Sequence, residues 1–439
     1  MAIPFLISLA VVQINVFADT FWVSNLGVVA VSGMTSAVPM YVMFTVVGLG
    51  LSTGIVTSIA FHIGKGDREV AGKLAGNTIF LGLVISALCS VALFLCMDLL
   101  IEVMGAQDVS EEIHEYMLPF LLFSPITVLN TVFGGMLRAE GAAGRSTAVQ
   151  LSSIGLNIIL DPLLIFGLGL GIMGAGLATV LSYLFGVLIS SNWYIRKKTQ
   201  IIIRLGDLRP SRDAMLELLG VGGPKMVEGF VNNVVILIQR IFIIMASGTV
   251  GVSLFNVPFR YVSLSMCPVE AIGMAAVPVI AANYGKSDGD KMRMAHSLVF
   301  RYAVMLSLSV AVIVVLLAPL LISLFTLEET MNEWYDELVW NMRAYCIIIP
   351  LFAVQSASVS ILQAVKKTKI PMRITMIAGV FRIIAFWTAI PFGYQGITVA
   401  LVLSYLLSCT LSVIMAEKNF SRICPPGKAE DPDGAAAGS

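Results

Sequence analysis

The chain has 439 residues, of which 58% are hydrophobic and only 12% are charged, and its 27 basic and 27 acidic side chains leave a formal net charge of zero. Soluble globular proteins carry roughly 25% charged residues, so the composition excludes an ordinary soluble fold. The zero net charge gives no support to a nucleic-acid partner. Because the apolar runs are about 20 residues long, we predict an all-α polytopic membrane protein.

Twelve apolar segments follow one another along the chain. We predict transmembrane helices over residues 3–25, 32–61, 74–97, 116–137, 146–167, 172–195, 214–247, 252–282, 296–325, 337–363, 372–391 and 396–417. The first six segments form an N-terminal lobe (1–195) and the last six a C-terminal lobe (214–418). The basic stretch 196–213 is predicted to be a cytoplasmic linker, and the Pro- and Gly-containing stretch 419–439 a disordered tail.

The distribution of basic residues predicts the orientation of the chain. Basic side chains follow the even-numbered segments, as at Lys65, Arg138 and Lys286, whereas the loops after odd-numbered segments are uncharged or acidic, as at Glu111 and Glu333. By the positive-inside rule, both termini are expected in the cytoplasm. We therefore expect a multi-pass protein of the plasma (inner) membrane.

The two lobes repeat each other at a nearly constant offset along the chain. Gly64-Lys-Gly-Asp67 returns as Gly285-Lys-Ser-Asp288, and Val180-Leu-Ser-Tyr-Leu184 returns unchanged as Val402-Leu-Ser-Tyr-Leu406. Each unit holds an even number of helices, so the units have the same orientation. The sequence therefore predicts two six-helix bundles related by a pseudo-two-fold axis along the membrane normal.

Two of the apolar segments carry the same polar pattern, Asn-x-x-x-Asp. Asn15 and Asp19 lie in the first segment, and Asn157 and Asp161 in the fifth. Residues four apart share one face of a helix. An ionised Asp at the centre of a membrane helix costs about 2.5–3.5 kcal/mol on insertion scales. With a helical rise of about 1.5 Å per residue, both aspartates and Thr179 fall at similar depth in the outer half of the membrane, with the asparagines one turn deeper.

This cluster has three interpretations. Two carboxylates in an apolar pocket repel when both are charged, so one of them would hold a proton and the pair would titrate together. Alternatively, Na⁺ could bridge the Asp and Asn oxygens with the Thr179 hydroxyl, since hard cations favour oxygen ligands. The third interpretation is a structural hydrogen-bond network between helices. Pro162 also leaves the carbonyl of Ile158 without its helical partner, which adds an oxygen to the pocket.

The C-terminal lobe does not repeat this chemistry. When the fifth segment is matched to the eleventh, Asn157 falls on Arg382 and Asp161 on Phe386. A proton or cation site of this kind is therefore expected in the N-terminal lobe alone.

The C-terminal lobe instead carries charged residues in or near its helices, and these are Glu228, Arg240, Arg260, Glu270, Arg343 and Arg382. Intramembrane charges usually pair, so we expect an internal bridge between Glu270 and one of these arginines. Structural bracing is expected of Arg260 and Arg382. Glu270 is also the better candidate in this lobe for contact with a cationic substrate.

Five stretches, in this order and spacing, resemble one known family: Asp19-Thr-Phe-Trp-Val-Ser-Asn-Leu-Gly27, Gly64-Lys-Gly-Asp67, Leu137-Arg-Ala-Glu-Gly141, Asn157-Ile-Ile-Leu-Asp161 and Gly174-Ala-Gly-Leu-Ala-Thr179. The chain is similar to the multidrug and toxic compound extrusion (MATE) transporters, most of all to their prokaryotic branch related to the DNA-damage-inducible F protein. The resemblance implies a secondary antiporter that exports organic, cationic or amphipathic compounds by alternating access.

The resemblance also implies roles for individual residues. Those that match Asp19, Asn157, Asp161 and Thr179 form a coupling site for H⁺ or Na⁺ in this branch, and Glu140 is expected to help close the inner face. We expect small organic substrates and the lipid bilayer as partners, a monomer, and no cofactor beyond the coupling ion. No catalytic residues are expected, because the sequence holds no constellation of nucleophile, base or metal ligands.

A flippase for lipid-linked oligosaccharides or peptidoglycan precursors stays open as an alternative. Such a protein handles anionic pyrophosphate head groups and would need cationic side chains in its central cavity. The intramembrane arginines lie in one half of the chain only, and the N-terminal lobe is acidic.

Overall fold

The computed structural model describes residues 2–323 and 333–423, and within these ranges the chain is built from helices without a β-strand. The helices of the first lobe are α1 (Ala2–Ser24), α2 (Val28–Lys65), α3 (Arg68–Val103), α4 (Ser110–Leu122), α5 (Ser124–Ala139), α6 (Ala143–Pro162) and α7 (Gly171–Ile195). Those of the second lobe are α8 (Arg212–Gly285), α9 (Gly289–Ser323), α10 (Tyr335–Cys346), α11 (Ile348–Ala364), α12 (Lys369–Ala389) and α13 (Gly393–Ile423). The predicted all-α membrane fold is confirmed.

As far as the described residues extend, each predicted segment coincides with one of these helices or with two consecutive ones. The helices are longer than predicted, because α2 and α3 continue well past the apolar runs into charged residues at Lys65 and Arg68. Segments 7 and 8 are both contained in α8, whose backbone leaves helical geometry at Ser247 and Gly248. Gly248 has a φ of 62°, which glycine adopts without the steric cost that other residues meet, so this pair forms the turn between the two segments.

The fourth segment is the main departure from the predicted helices. It is two helices, because the stretch Gln107–Leu122 meets Ser124–Ala139 at an angle of 59°. Pro125 stands in the first turn of α5, where its ring would clash with a carbonyl of the preceding turn if the helix were continuous. The tenth segment is likewise divided between α10 and α11 at Ile347.

The predicted tail begins too early. Helix α13 continues to Ile423, so residues 419–423 are helical and not part of a disordered tail. The remainder of that prediction, residues 424–439, lies outside the described residues.

The two lobes meet at one end, which we call the basic end because it carries Lys65, Lys286 and Lys366. Here α2 packs directly on α8. A Cβ atom on Gly64 would collide with the carbonyl of Ala282, so only glycine permits this backbone contact. Helices α2 and α8 stay in contact over several turns from the basic end. The contact farthest from that end that we find is between Gly229 of α8 and Val46 of α2.

Polar contacts also connect the lobes at the basic end. Glu217 of α8 lies 3.2 Å from Nε2 of His62 on α2 and accepts a bond of 2.7 Å from Nζ of Lys366. The Lys366 ammonium lies 3.9 Å from the centre of the Phe61 ring. Apolar contacts add to these, since α1 packs with α8 through Phe5. The lobes are therefore closed against each other at the basic end.

The linker between the lobes is bound to the first lobe. The amide of Asn77 on α3 donates to the carbonyls of Asp207 (3.1 Å) and Arg209 (3.3 Å), and its oxygen accepts from the backbone N–H of Ser211 (2.7 Å). The guanidinium of Arg145 donates to the carbonyl of Lys198 at 2.7 Å. The predicted linker is thus held against the first lobe along its length.

Candidate functional site

The two predicted aspartates meet inside the first lobe. Helices α1 and α6 bring the carboxyl groups of Asp19 and Asp161 into hydrogen-bonding contact. Asp161 is fully buried at 0% exposure and Asn157 at 1%, whereas Asn15 and Asp19 are half-buried. Each amide lies one turn below its aspartate, as the four-residue spacing predicts.

Each asparagine donates to its own aspartate. Nδ2 of Asn15 lies 3.1 Å from Oδ2 of Asp19, and Nδ2 of Asn157 lies 3.4 Å from Oδ1 of Asp161. After these bonds, four buried oxygens have no hydrogen-bond partner among the described residues: Asn15 Oδ1, Asp19 Oδ1, Asn157 Oδ1 and Asp161 Oδ2. Buried polar atoms are normally paired, so four unpaired oxygens in one pocket need a physical explanation.

The donor set of this pocket fits a hard monovalent cation. Carboxylate and amide oxygens are the ligands that such cations prefer. Two contacting carboxyl groups in apolar surroundings also repel unless a proton or a cation lies between them. The pocket can therefore hold H⁺ or Na⁺, and the four unpaired oxygens are the atoms that would bind it.

Thr179 lies on α7 and is buried at 6% exposure. Its hydroxyl donates to the carbonyl of Ala175 at 3.2 Å, and within the described residues it makes no hydrogen bond with either aspartate. The start of α7 packs closely on the π-helical turn Leu163–Gly167 that follows Pro162, since a Cβ atom on Gly174 would stand 2.8 Å from the carbonyl carbon of Leu164. The place of Thr179 in the ligand set thus stays a prediction.

Three tyrosines lie near the acidic pair, and no pattern in the sequence marks them as part of the site. Tyr41 of α2 and Tyr183 of α7 share a hydrogen bond of 2.9 Å between their hydroxyls. Tyr116 of α4 packs on Phe120, with ring centres 5.4 Å apart. All three tyrosines interact electrostatically with Asp19. Tyrosine supplies an apolar ring with a polar tip, which suits the wall of a polar pocket inside a membrane lobe.

Glu140 lies at the basic end, away from the acidic pair. Its carboxylate accepts from the hydroxyl of Tyr194 (2.6 Å) and from the backbone N–H of Gln200 (2.7 Å), and it is 7% exposed. Burial raises the pKa of Glu140, although these hydrogen bonds oppose the shift. Glu140 therefore attaches the start of the linker to the first lobe, and its expected part in closing the inner face stays a prediction.

Glu270 does not form the expected bridge with an arginine, because no ion pair of this residue occurs in the described parts of the chain. The charged side chain that interacts electrostatically with Glu270 is Lys225. Nζ of Lys225 also pairs with Oε1 of Glu228 at 2.7 Å. The prediction of an internal bridge is therefore wrong for the described residues.

The two arginines that are expected to brace the second lobe differ in their contacts. The expectation for Arg382 agrees with the structure, since its Nε donates to Ser404 at 3.0 Å and its guanidinium lies 5.1 Å from the Tyr405 ring. Arg260 is exposed and braces nothing that we find among the described residues.

The second lobe has a buried polar cluster of its own. The amide of Asn341 on α10 donates to the carbonyl of Leu254 at 3.1 Å, and its oxygen accepts from the hydroxyl of Thr398 at 2.7 Å. Tyr345 joins them at 3.4 Å from Thr398. Both atoms of this amide are paired.

The sequence model of the MatE family matches residues 4–163 and 224–388. A FAD transporter from Shewanella oneidensis is 24% identical and covers 99% of this chain and 96% of its own length. The multidrug export protein MepA from Staphylococcus aureus is 23% identical over 69% of this chain and 67% of its own length.

Solved structures of transporters are also similar to this chain. A MOP superfamily transporter from Pyrococcus furiosus, described with a binding pocket of reverse polarity, superposes with a TM-score of 0.91 at 26% identity, covering 96% of this chain and 95% of that one. A multidrug resistance MATE family transporter in an outward-facing conformation also gives a TM-score of 0.91 at 26% identity, with coverages of 98% and 96%.

Proposed function

This chain belongs to the MatE family of membrane transporters, and from that premise we propose that it is an antiporter, coupled to H⁺ or Na⁺, that exports organic, cationic or amphipathic compounds. The observation that carries the proposal is the contact of Asp19 with Asp161 and the four unpaired oxygens around it. A pocket of this kind, buried in one lobe, is a place where an ion gradient can act on the conformation.

The coupling follows from the difference in ion affinity between two conformations. A ligand shifts an equilibrium only by its differential affinity for the two states. We propose that an ion bound between α1 and α6 holds their oxygens together, bends α1 and favours release of the substrate to the outside. The lobes would then rock about the cleft between them, with the basic end as the inner gate.

The proposed orientation places the basic end and both termini in the cytoplasm, in the plasma (inner) membrane of the cell. The lobes at 1–195 and 214–418 act as the two moving units of a monomer. A small tag that is accessible at the C-terminus only in permeabilised cells would support this orientation, and access in intact cells would contradict it.

The test uses the full chain in vesicles under an imposed pH gradient or, separately, an imposed Na⁺ gradient. Ethidium and FAD are the two cargoes, since MepA is named for multidrug export and the Shewanella oneidensis relative for FAD. We expect Asp161→Asn to reduce gradient-driven transport to the level of protein-free vesicles. Asp98→Asn is the matched control, because this side chain is 90% exposed at the end of α3.

Full gradient-driven transport by Asp161→Asn would refute the coupling mechanism. Loss under only one of the two gradients would identify the ion. The flippase alternative is tested in the same vesicles, because transfer of a lipid-linked pyrophosphate between leaflets without export of either soluble cargo would favour it.

A further inference from the structure

Two arginines in the membrane-spanning part of the second lobe have no partner among the described residues. Arg240 and Arg260 lie in α8 on either side of its turn at Ser247 and Gly248, and both are exposed. Across the described ranges, neither makes a hydrogen bond or an ion pair. An unpaired guanidinium inside the hydrocarbon core is energetically unfavourable, so its presence there indicates a functional site.

The depth of the two arginines follows from their distance along the helix. With a rise of about 1.5 Å per residue, Arg240 stands about 11 Å and Arg260 about 19 Å from the turn. Both therefore lie within a hydrocarbon core about 30 Å thick. Their levels differ by about 8 Å, which the long stems of two arginine side chains can bridge around one bound group.

The face of α8 that carries Arg240 is known from its contacts with α2. Gly222 and Gly229 lie against α2, at Gly50 and Val46 respectively. Arg240 follows Gly222 by about five full helical turns and Gly229 by about three. Arg240 therefore continues the surface that packs on the first lobe at the basic end, at a level where that surface is exposed.

The same reasoning places Arg260 on the cleft. In the second half of α8, Ala271 and Ala275 pack with Phe5 of α1. Arg260 precedes Ala271 by about three full helical turns, so it lies on the face that looks toward α1. Both arginines thus point from the second lobe into the space between the lobes.

The described helices of the opposing wall offer no counter-charge. The only charged residue in α1 is Asp19, which is engaged inside the lobe. The only basic or acidic residues in α2 are His62 and Lys65 at the basic end. Glu112 packs against Gly33, on the face of α2 turned away from α8. The cleft at the level of the arginines therefore holds two positive charges opposite an uncharged wall.

Amide side chains extend the polar surface around each arginine. Asn233 lies seven residues before Arg240, and Asn256 lies four residues before Arg260, so each shares the face of its arginine. Asn256 is exposed and Asn233 half-buried. Guanidinium groups bind phosphate with paired, charge-assisted hydrogen bonds, and neighbouring amides add further donors.

We propose that Arg240 and Arg260 form an anion site on the second-lobe wall of the cleft, and that this site recognises a phosphate or pyrophosphate group on an amphipathic organic substrate. The inference rests on the proposed transport function and names the chemistry of its cargo. The phosphate group could belong to a soluble nucleotide-like compound or to a lipid-linked pyrophosphate. The acidic pair then serves the ion and the arginine pair serves the substrate.

Two fluorescent compounds that differ by one phosphate test this site. Flavin mononucleotide carries the phosphate and riboflavin lacks it, and binding of each to the full chain in detergent is measured by equilibrium dialysis. We expect tighter binding of flavin mononucleotide, and a loss of about tenfold or more in Arg240→Gln/Arg260→Gln, as for removal of charge-assisted hydrogen bonds. Riboflavin binding should not change. The control is Arg373→Gln, an exposed arginine near the start of α12 at the basic end.

Equal binding of both flavins, or full binding of flavin mononucleotide by the double variant, would overturn the proposal. Competition by geranylgeranyl pyrophosphate but not by geranylgeraniol would support the site with a lipid-linked source, and failure of this lipid to compete would support the soluble source. Asp161→Asn keeps both arginines, so it should retain flavin mononucleotide binding while it loses gradient-driven transport. Failure of the coupling mechanism is thereby distinguished from failure of the anion site.

Discussion

The buried polar clusters of the two lobes differ in one respect, which is whether their atoms are paired. In the second lobe, both polar atoms of Asn341 find partners on Leu254 and Thr398. In the first lobe, four oxygens around Asp19 and Asp161 find none among the described residues. A satisfied network contributes to the stability of a bundle, whereas an unsatisfied one is retained at a cost and indicates a ligand. The proposed ion site therefore belongs to one lobe only, despite the repeat in the sequence.

Breaking the acidic pair should reduce export more than any other change. Asp19→Asn, like Asp161→Asn, removes one of two charges that the ion must neutralise, so gradient-driven export should fall to background. Vesicle efflux assays under separate pH and Na⁺ gradients measure this. The first-lobe interpretation is contradicted if export falls equally in Asn341→Ala.

A smaller effect is expected from breaking the satisfied cluster. Asn341→Ala leaves the carbonyl of Leu254 without this partner and removes one of the hydrogen bonds of the Thr398 hydroxyl, so the free energy of unfolding should fall by about 1–2 kcal/mol. Thermal unfolding in detergent measures the change. Asn233→Ala is the control, since that amide donates only within its own helix, to the carbonyl of Gly229.

The contacts at the basic end test whether pairing between the lobes holds this end closed. Glu217→Gln removes the charge that contacts His62 and Lys366, and a partly exposed pair of this kind contributes up to about 1 kcal/mol, or about fivefold in the open fraction. Maleimide labelling of Met226→Cys, in a background without the native cysteines, measures opening because Met226 packs against Gly50. Asp290→Asn, which breaks a surface pair with Arg293, should leave labelling unchanged.

The smallest effect concerns Glu140, which is paired and buried. Burial raises its pKa in the folded protein above the ordinary 4.5, so the folded state binds this proton more tightly than the unfolded state. Its contribution to stability is therefore present below pH 4.5 and is lost as the pH rises through the raised pKa. Glu140→Gln should remove this part of the pH dependence, as measured by unfolding temperature between pH 4 and pH 8. An unchanged profile would contradict the assignment.

The helices could be predicted from the sequence, because they depend on residues that are close together in the chain. The apolar segments, the basic loops and the four-residue spacing of Asn15 and Asp19 depend on neighbours in the chain, and the structure confirms the helices that they predict. The contact between Asp19 and Asp161 was inferred from equal depth in two helices and from the family resemblance. It is the one long-range feature of the candidate site that the sequence indicated.

Features that depend on packing between helices distant in the chain could not be predicted from the sequence. Tyr41, Tyr116 and Tyr183 look like ordinary residues of apolar helices until the fold gathers them near Asp19. The bend before Pro125 was missed because the apolar run continues through it.

The bridge expected for Glu270 also depended on packing between helices. It does not form among the described residues, because the charged neighbour of Glu270 is Lys225 and not an arginine. The sequence lists the charged residues of a lobe but does not say which of them face each other.

The linker has a consequence for how force passes between the halves of the molecule. Asn77, Glu140 and Arg145 hold it against the first lobe as far as Ser211, and α8 begins at the next residue. The covalent connection between the halves is thus reduced to a single junction beside Arg212, and the rest of the linker moves with the first lobe as a passive attachment. A cut at that junction would leave the two halves joined only by their non-covalent contacts at the basic end, whereas a cut a few residues earlier would leave a piece of the linker bound to the first lobe.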